Sequence, residues 1–119
     1  MVNRTDPRLA LALLALACAI GPGCDAERPA ILVQETTISV ENQSREAWSA
    51  VEVWLNDHYR VTKSRMPPGE RFSIPFSAFV AGFGQRFDAA RQPIRGVEVN
   101  ATAPGGQKVR IVWGAGRRR

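Results

Sequence analysis

Apolar and polar residues alternate along much of this chain, and this period of two constrains the fold more than any other feature. The clearest stretch is residues 47–55, where Val51, Val53 and Leu55 share one face of an extended chain. An amphipathic helix would instead repeat its apolar residues every three or four positions. The pattern therefore predicts β-strands, each with one face turned toward a core.

The same pattern recurs between turn signals along the rest of the chain. Met66-Pro-Pro-Gly69 and Pro104-Gly-Gly106 are strong turns that separate successive strands. The predicted strands are 36–41, 47–55, 59–63, 71–76, 96–102 and 107–113, with extended chain also from residue 31 and a short strand or extended loop at 85–88. Short strands at regular spacing predict an all-β fold, a small antiparallel β-sandwich of six or seven strands spanning residues 31–114. In strand count this resembles immunoglobulin-like domains, without their Cys-Trp-Cys core.

The sequence predicts both the length of the loop after residue 55 and the register of the two strands that it joins. A three-residue loop, 56–58, pairs Leu55 with Tyr59 and keeps the apolar residues of both strands on one face. Such a loop needs a residue with positive φ, which we expect at Asp57 or His58.

Two features predict the end of the 71–76 strand. Pro75 lacks the N–H that an interior ladder needs, so this strand is expected at a sheet edge. Residues 77–80 are expected to form one helical turn capped by Ser77.

The first residues have the layout of a secretory signal peptide. Arg4 and Arg8 precede the apolar run 9–20, and a Gly-Pro-Gly turn at 21–23 leads to Cys24. The run of 12 residues is shorter than the roughly 20 that a transmembrane helix needs.

The segment resembles a bacterial lipoprotein signal, because the small residue Gly23 stands directly before Cys24. The resemblance implies a signal peptide at 1–23, a tether at 24–30, and membrane attachment through a lipid on Cys24. It also implies a place in the cell envelope outside the cytoplasm, on the periplasmic side or at the outer membrane. Cys18 is a second candidate for the lipid-modified cysteine. The alternative to lipidation is ordinary signal-peptide cleavage, which would leave a soluble secreted domain.

Removal of the leader changes the composition. The remaining 96 residues contain no second cysteine and a single histidine, which excludes a disulfide framework and leaves zinc without ligands. They carry 14 basic and 10 acidic residues, and three of the basic ones are Arg117, Arg118 and Arg119 in a tail at 115–119. The domain itself is close to neutral, so we expect no nucleic-acid partner. We also expect no metal and no cofactor.

Trp48 and Trp54 have the same strand parity, opposite to Val51 and Val53. If the odd-numbered face is core, both tryptophans face outward near Arg60 and form a patch for a protein or glycan. The alternative is that Trp48 lies beyond a bulge and turns into the core, while Arg60 covers Trp54.

Residues 79–88 fit the sandwich pattern least well. In an extended chain Arg86 and Asp88 share one side and Phe87 takes the other, which predicts a buried Arg86–Asp88 pair that holds the loop. The functional alternative is a binding loop in which Gln85 and Arg86 donate hydrogen bonds.

These observations favour a non-enzymatic binding or accessory module. The single histidine, His58, falls in a predicted turn, where nothing would fix its tautomer or exclude water, so no nucleophile–base–orienter set is visible. The alternative is a structural protein that pairs through an exposed strand edge, with residues 72–76 as the place to look.

Overall fold

The computed structural model describes residues 28–115, which form two antiparallel β-sheets. The strands are β1 (Ile31–Val33), β2 (Thr37–Glu41), β3 (Trp48–Leu55), β4 (Tyr59–Met66), β5 (Arg71–Pro75), β6 (Val80–Ala81), β7 (Gly96–Thr102) and β8 (Lys108–Gly114). The small sheet has the order β1-β2-β5, and the large sheet has the order β6-β4-β3-β7-β8. The predicted all-β sandwich is confirmed, with eight strands instead of six or seven, two of which, β1 and β6, have only three and two residues.

Two pairings between strands distant in sequence give the sandwich its connectivity. In the small sheet β2 pairs with β5, and in the large sheet β3 pairs with β7. The chain therefore crosses between the two layers instead of running as a simple meander.

The inward rows of both sheets meet in one apolar core. Val51, Val53 and Leu55 are completely buried, as their alternation predicts, and Val97 and Val99 pack beside them from β7. Full burial of a side chain of this size stabilises a fold by about 1.5–3 kcal/mol, so these central rows carry much of the stability.

The three-residue loop is confirmed, with Leu55 opposite Tyr59. Positive φ occurs at Asp57, as expected, and also at Asn56, whereas His58 does not need it. A tight loop of this kind matches the twist of the strands it joins.

A bulge near the start of β3 decides the position of Trp48. The pairing of β3 with β7 shifts register between Ser49 and Glu52, and Ala50 adopts a φ of 51°. The extra residue reverses the parity of the strand, so Trp48 is buried and belongs to the core. The outward tryptophan pair is therefore wrong, and the bulge alternative is confirmed.

The strands place the two ends of the described chain at opposite ends of the sandwich. The tether end carries the start of β1 and the buried Asn42, whose Nδ2 donates to the carbonyl oxygens of Glu46 (2.9 Å) and Met66 (3.0 Å). The far end carries the end of β8 and Asn56, whose Oδ1 accepts from the amides of Arg95 (2.6 Å) and Gly96 (3.1 Å).

The end of β5 differs from the expectation in two details, since the helical turn predicted at 77–80 is shorter and Val80 begins β6. β5 is an edge strand of the small sheet, as Pro75 predicts, and a 3-10 turn (Phe76–Ala78) follows it. Ser77 is not its cap, because the turn begins after Pro75 and no side chain caps it.

The predicted signal peptide, Cys24 and residues 117–119 lie outside the described residues. Within residues 28–115, no helix has the length and apolar character that crossing a membrane requires.

Candidate binding face

The face of the large sheet that points away from the core carries a row of polar and charged side chains. Cross-strand partners in an antiparallel sheet point to the same side, so the register assigns this face directly. The outer face of the large sheet consists of Arg60 and Thr62 on β4, Glu52 and Trp54 on β3, Glu98 and Asn100 on β7, and Arg110 and Val112 on β8.

Trp54 is half-buried and held by two charged neighbours. Its Nε1 donates to Glu52 Oε1 at 3.1 Å, and the Arg60 guanidinium lies 5.3 Å from its ring centroid. Arg60 Nη1 also reaches Glu52 Oε2 at 3.5 Å. The expected contact between Trp54 and Arg60 is therefore present, and it fixes the orientation of both side chains.

Glu98 is the most unusual group on this face, because its side chain is 0% exposed. Asn100 Nδ2 donates to Glu98 Oε2 at 2.8 Å, and Arg110 Nη2 lies 3.2 Å from Glu98 Oε1. Trp54 and Val112 flank it on the neighbouring strands. A carboxylate removed from water requires such partners, so this network locks the middle of the face.

The short strand β6 brings a second predicted element to this face. β6 pairs with β4 through Tyr59–Ala81 and Arg60–Val80, and this pairing places the turn at Gly82 beside the outer face. A shallow depression of about 460 Å³, here named the Trp54 depression, lies between this turn and the outer face. It is lined by Trp54, His58, Arg60, Thr62, Val80 and Gly82.

The structure therefore joins parts of two regions that the sequence analysis treated as separate candidates. Gln85 closes the turn after Gly82 by accepting the Ala81 amide at 2.8 Å, and Arg86 forms an isolated bridge with Val80. Arg86 Nη1 donates to the Ser77 carbonyl at 3.0 Å. Both Gln85 and Arg86 are exposed, but neither lines the depression.

The predicted buried pair between Arg86 and Asp88 is wrong. Both residues are exposed, and Asp88 instead lies 3.5 Å from Arg91 Nε and accepts the Ala90 amide at 3.0 Å. Arg86 and Asp88 do share one side of the chain, but that side faces solvent, and each side chain has its own separate partner. Phe87 is buried against Tyr59, with ring centroids 5.2 Å apart, as the same argument predicts.

A second depression of about 470 Å³ lies toward the tether end of the face. Its lining includes Ala50 at the bulge, Glu52, Asn100, Thr102, Lys108 and Arg110. Its charged groups are mostly engaged within the face, since Glu52 contacts Arg60 and Trp54 and Arg110 contacts Glu98.

Sequence reasoning missed two residues. Phe83 is 80% exposed at the tip of the turn beside the Trp54 depression, and its position between Gly82 and Gly84 was an available signal. Glu98 lies on the outer side of an alternating strand, and its burial depends on side chains from the two neighbouring strands.

Within residues 28–115, no three His, Cys, Asp or Glu side chains are grouped in a way that could hold a metal ion. His58 is exposed in its turn, as expected. No protein-family model, curated protein or solved structure matches this chain.

Proposed function

We propose that this protein is a lipid-anchored binding module of a bacterial cell envelope, held to the membrane through Cys24. The Trp54 depression is its binding site, and the partner is a polar segment of a protein or a glycan. The observation that carries the proposal is the convergence of Trp54, Arg60 and the Gly82 turn on one depression.

The depression offers complementary kinds of contact to such a ligand. Arg60 is a multiple hydrogen-bond donor with a side chain 48% exposed, His58 adds ring nitrogens, and Thr62 adds a hydroxyl. Phe83 stands exposed on the adjoining turn and offers apolar contact area. A volume of about 460 Å³ is in the range of small-ligand sites, so it suits one or two sugar rings or a few side chains.

The fold gives this site a favourable orientation. The tether enters at the end where Arg28 contacts Glu41, and the Trp54 depression lies toward the opposite end, beside the 56–58 loop. An anchored domain would hold this end away from its own membrane.

Metabolic labelling with a palmitate analogue tests the anchor. We expect the wild-type chain to be labelled and the Cys24→Ser variant to lose the label. Equal labelling of both chains would exclude lipidation at Cys24, and absence of label from both would support the alternative of a soluble secreted domain.

A photo-crosslinking amino acid at Thr62 tests the binding site in cells. We expect a defined adduct from Thr62, and none from the matched position Ser73, which lies on the outer face of the small sheet. Arg60→Ala should reduce the Thr62 adduct. Equal capture at both positions, or capture insensitive to Arg60→Ala, would contradict the proposed site.

Assembly through the edge of β5 is the second candidate, because β5 is outermost in its sheet. Two features weaken it. Pro75 has no backbone N–H to donate, and Lys63 of the large sheet lies over Phe72, with its Nζ 5.0 Å from the ring centroid. Capture from Ser73 without capture from Thr62 would favour this candidate.

A further inference from the structure

The last strand, β8, leaves a long edge of the large sheet open. β8 has seven residues, whereas β1, which lies beside it in the small sheet, has three. The inward row Val109, Ile111 and Trp113 is in consequence only partly covered, and Trp113 remains 36% exposed. The short neighbouring strand β1 explains why this row is only partly buried.

The hydrogen-bond phase shows which backbone groups face outward from β8. The Ala103 amide donates to Gln107, and the Ala115 amide donates to Arg95, so hydrogen-bonded pairs fall on odd-numbered residues of β8. The backbone groups of Val109, Ile111 and Trp113 therefore point to β7. Those of Lys108, Arg110, Val112 and Gly114 point away, and among residues 28–115 no other strand pairs with them.

The opposite side of the sandwich is closed in a different way. Lys63 at the edge of β4 lies 3.3 Å from Glu70 Oε2 and 5.0 Å from the Phe72 ring centroid, so it bridges the two sheets. An inward-pointing charge of this kind discourages strand addition. β8 has no equivalent, because its charged side chains Lys108 and Arg110 lie on the outer face.

We infer that β8 pairs with β8 of a second copy of this chain, antiparallel about a two-fold axis at Ile111. This register sets Ile111 opposite Ile111 and Val109 opposite Trp113, so the half-covered rows of both copies meet. On the outer face Arg110 lies opposite Val112, and Lys108 lies opposite Gly114. The outward backbone groups of all four even-numbered residues then form hydrogen-bonded pairs, and the two large sheets become one.

Neighbouring registers satisfy these conditions less well. A shift by one residue pairs the apolar row of one copy with the charged row of the other. A two-fold axis at Arg110 sets two guanidinium groups directly opposite, which is unfavourable. An axis at Val112 leaves Lys108 and Val109 outside the paired region. The chain is thus self-complementary in one register, which favours a second copy over an unrelated extended peptide.

Cysteine crosslinking of the full chain tests this register. Opposed residues of a non-hydrogen-bonded pair have Cα atoms about 4.5 Å apart, within disulfide range, so Ile111→Cys should crosslink to its own copy on mild oxidation. The matched variant Val109→Cys should not, because its two copies would lie about 14 Å apart. Mass spectrometry of a peptide linked through position 111 of both copies distinguishes this bond from any made by Cys18 or Cys24. Absence of that peptide, or equal dimer from Val109→Cys, would overturn the inference.

Sedimentation of the full chain in detergent gives an independent measurement. We expect a concentration-dependent dimer for the wild type and for Val112→Thr, and its loss in Val112→Pro. The Val112 amide points away from β7, so proline there removes no bond of the β7–β8 ladder but blocks addition of a strand. Circular dichroism checks that Val112→Pro is folded. A wild type that stays monomeric, or a folded Val112→Pro that still dimerises, would overturn the inference.

Discussion

The outer faces of the two sheets each hold a glutamate paired with arginine, but they bury it to different extents. Glu98, in the middle of the large sheet, is 0% exposed and contacts Arg110 and Asn100. Glu41, at the end of β2, is 12% exposed and contacts Arg28 at 2.8 Å and Arg71 at 3.4 Å. The same pairing chemistry therefore occurs once with a fully buried carboxylate and once with a carboxylate that water still reaches in part.

This difference separates two consequences of an ion pair. Removing a partner from a buried carboxylate leaves a charge that water cannot reach easily, so the main consequence is loss of stability. Where water still reaches the carboxylate, water and salt ions partly replace a lost partner, so the loss of stability is smaller. The main consequence there is that stability depends on pH.

The largest expected effect is that of Arg110→Ala. It removes a partner of the Glu98 carboxylate, and we expect a loss of about 2 kcal/mol in the free energy of unfolding, measured by urea denaturation. The loss stays below that of a fully buried pair because the Arg110 side chain is 48% exposed.

Two variants control this prediction. Lys108→Ala removes a charge from the same strand and face, and should change stability by less than about 0.5 kcal/mol. Adding Glu98→Gln to Arg110→Ala should recover part of the loss, because the buried group is then neutral. If Arg110→Ala lost no more stability than Lys108→Ala, burial of the glutamate would not explain a difference between the two faces.

A smaller effect is expected on the small sheet. Ser39 is buried and its Oγ lies 3.1 Å from Ser73 Oγ. Ser39→Ala should cost about 1 kcal/mol or less in urea denaturation, because the exposed Ser73 can turn to water. A cost equal to that of Arg110→Ala would show that the small sheet is as sensitive as the large one.

The smallest effect concerns pH. Burial raises the pKa of Glu41, but hydrogen bonds from Gln43 and Arg28 and the charges of Arg28 and Arg71 outweigh it, so the pKa lies below its usual 4.5. The stabilisation that Glu41 provides is therefore present above the unfolded-state pKa and is lost as the pH falls through the folded-state value.

Glu41→Gln should accordingly be less stable than the wild type near neutral pH, with a difference that shrinks below pH 4.5. Urea denaturation across this range measures it. Glu35→Gln removes the same charge from an exposed turn and serves as the control. A difference that stays constant with pH would show that the ion pairs of Glu41 do not act through its protonation.

Local pattern was enough to predict every strand except β6, and also the 56–58 loop. The alternation at Val51, Val53 and Leu55 has one solution in which both strands of the hairpin bury apolar side chains. Such an argument needs only neighbouring residues, and the confirmed pairing of Leu55 with Tyr59 follows from it.

Features that depend on distant strands were not predictable in this way. The bulge that buries Trp48 arises where β3 pairs with β7, and sequence parity left both positions of Trp48 open. The Trp54 depression requires β6 to pair with β4, although Trp54 and Gly82 are far apart in sequence. The Arg86–Asp88 prediction was wrong because the side that the two residues share faces solvent, which local parity does not reveal.

The φ of 51° at Ala50 has a consequence for laboratory evolution. An alanine in this conformation gives up about 1 kcal/mol, which glycine would not, because glycine has no Cβ. Position 50 is exposed, so a replacement there disturbs no core packing. Replacing Ala50 by glycine should therefore raise the free energy of unfolding. A chain stabilised in this way could tolerate otherwise destabilising changes on its binding face.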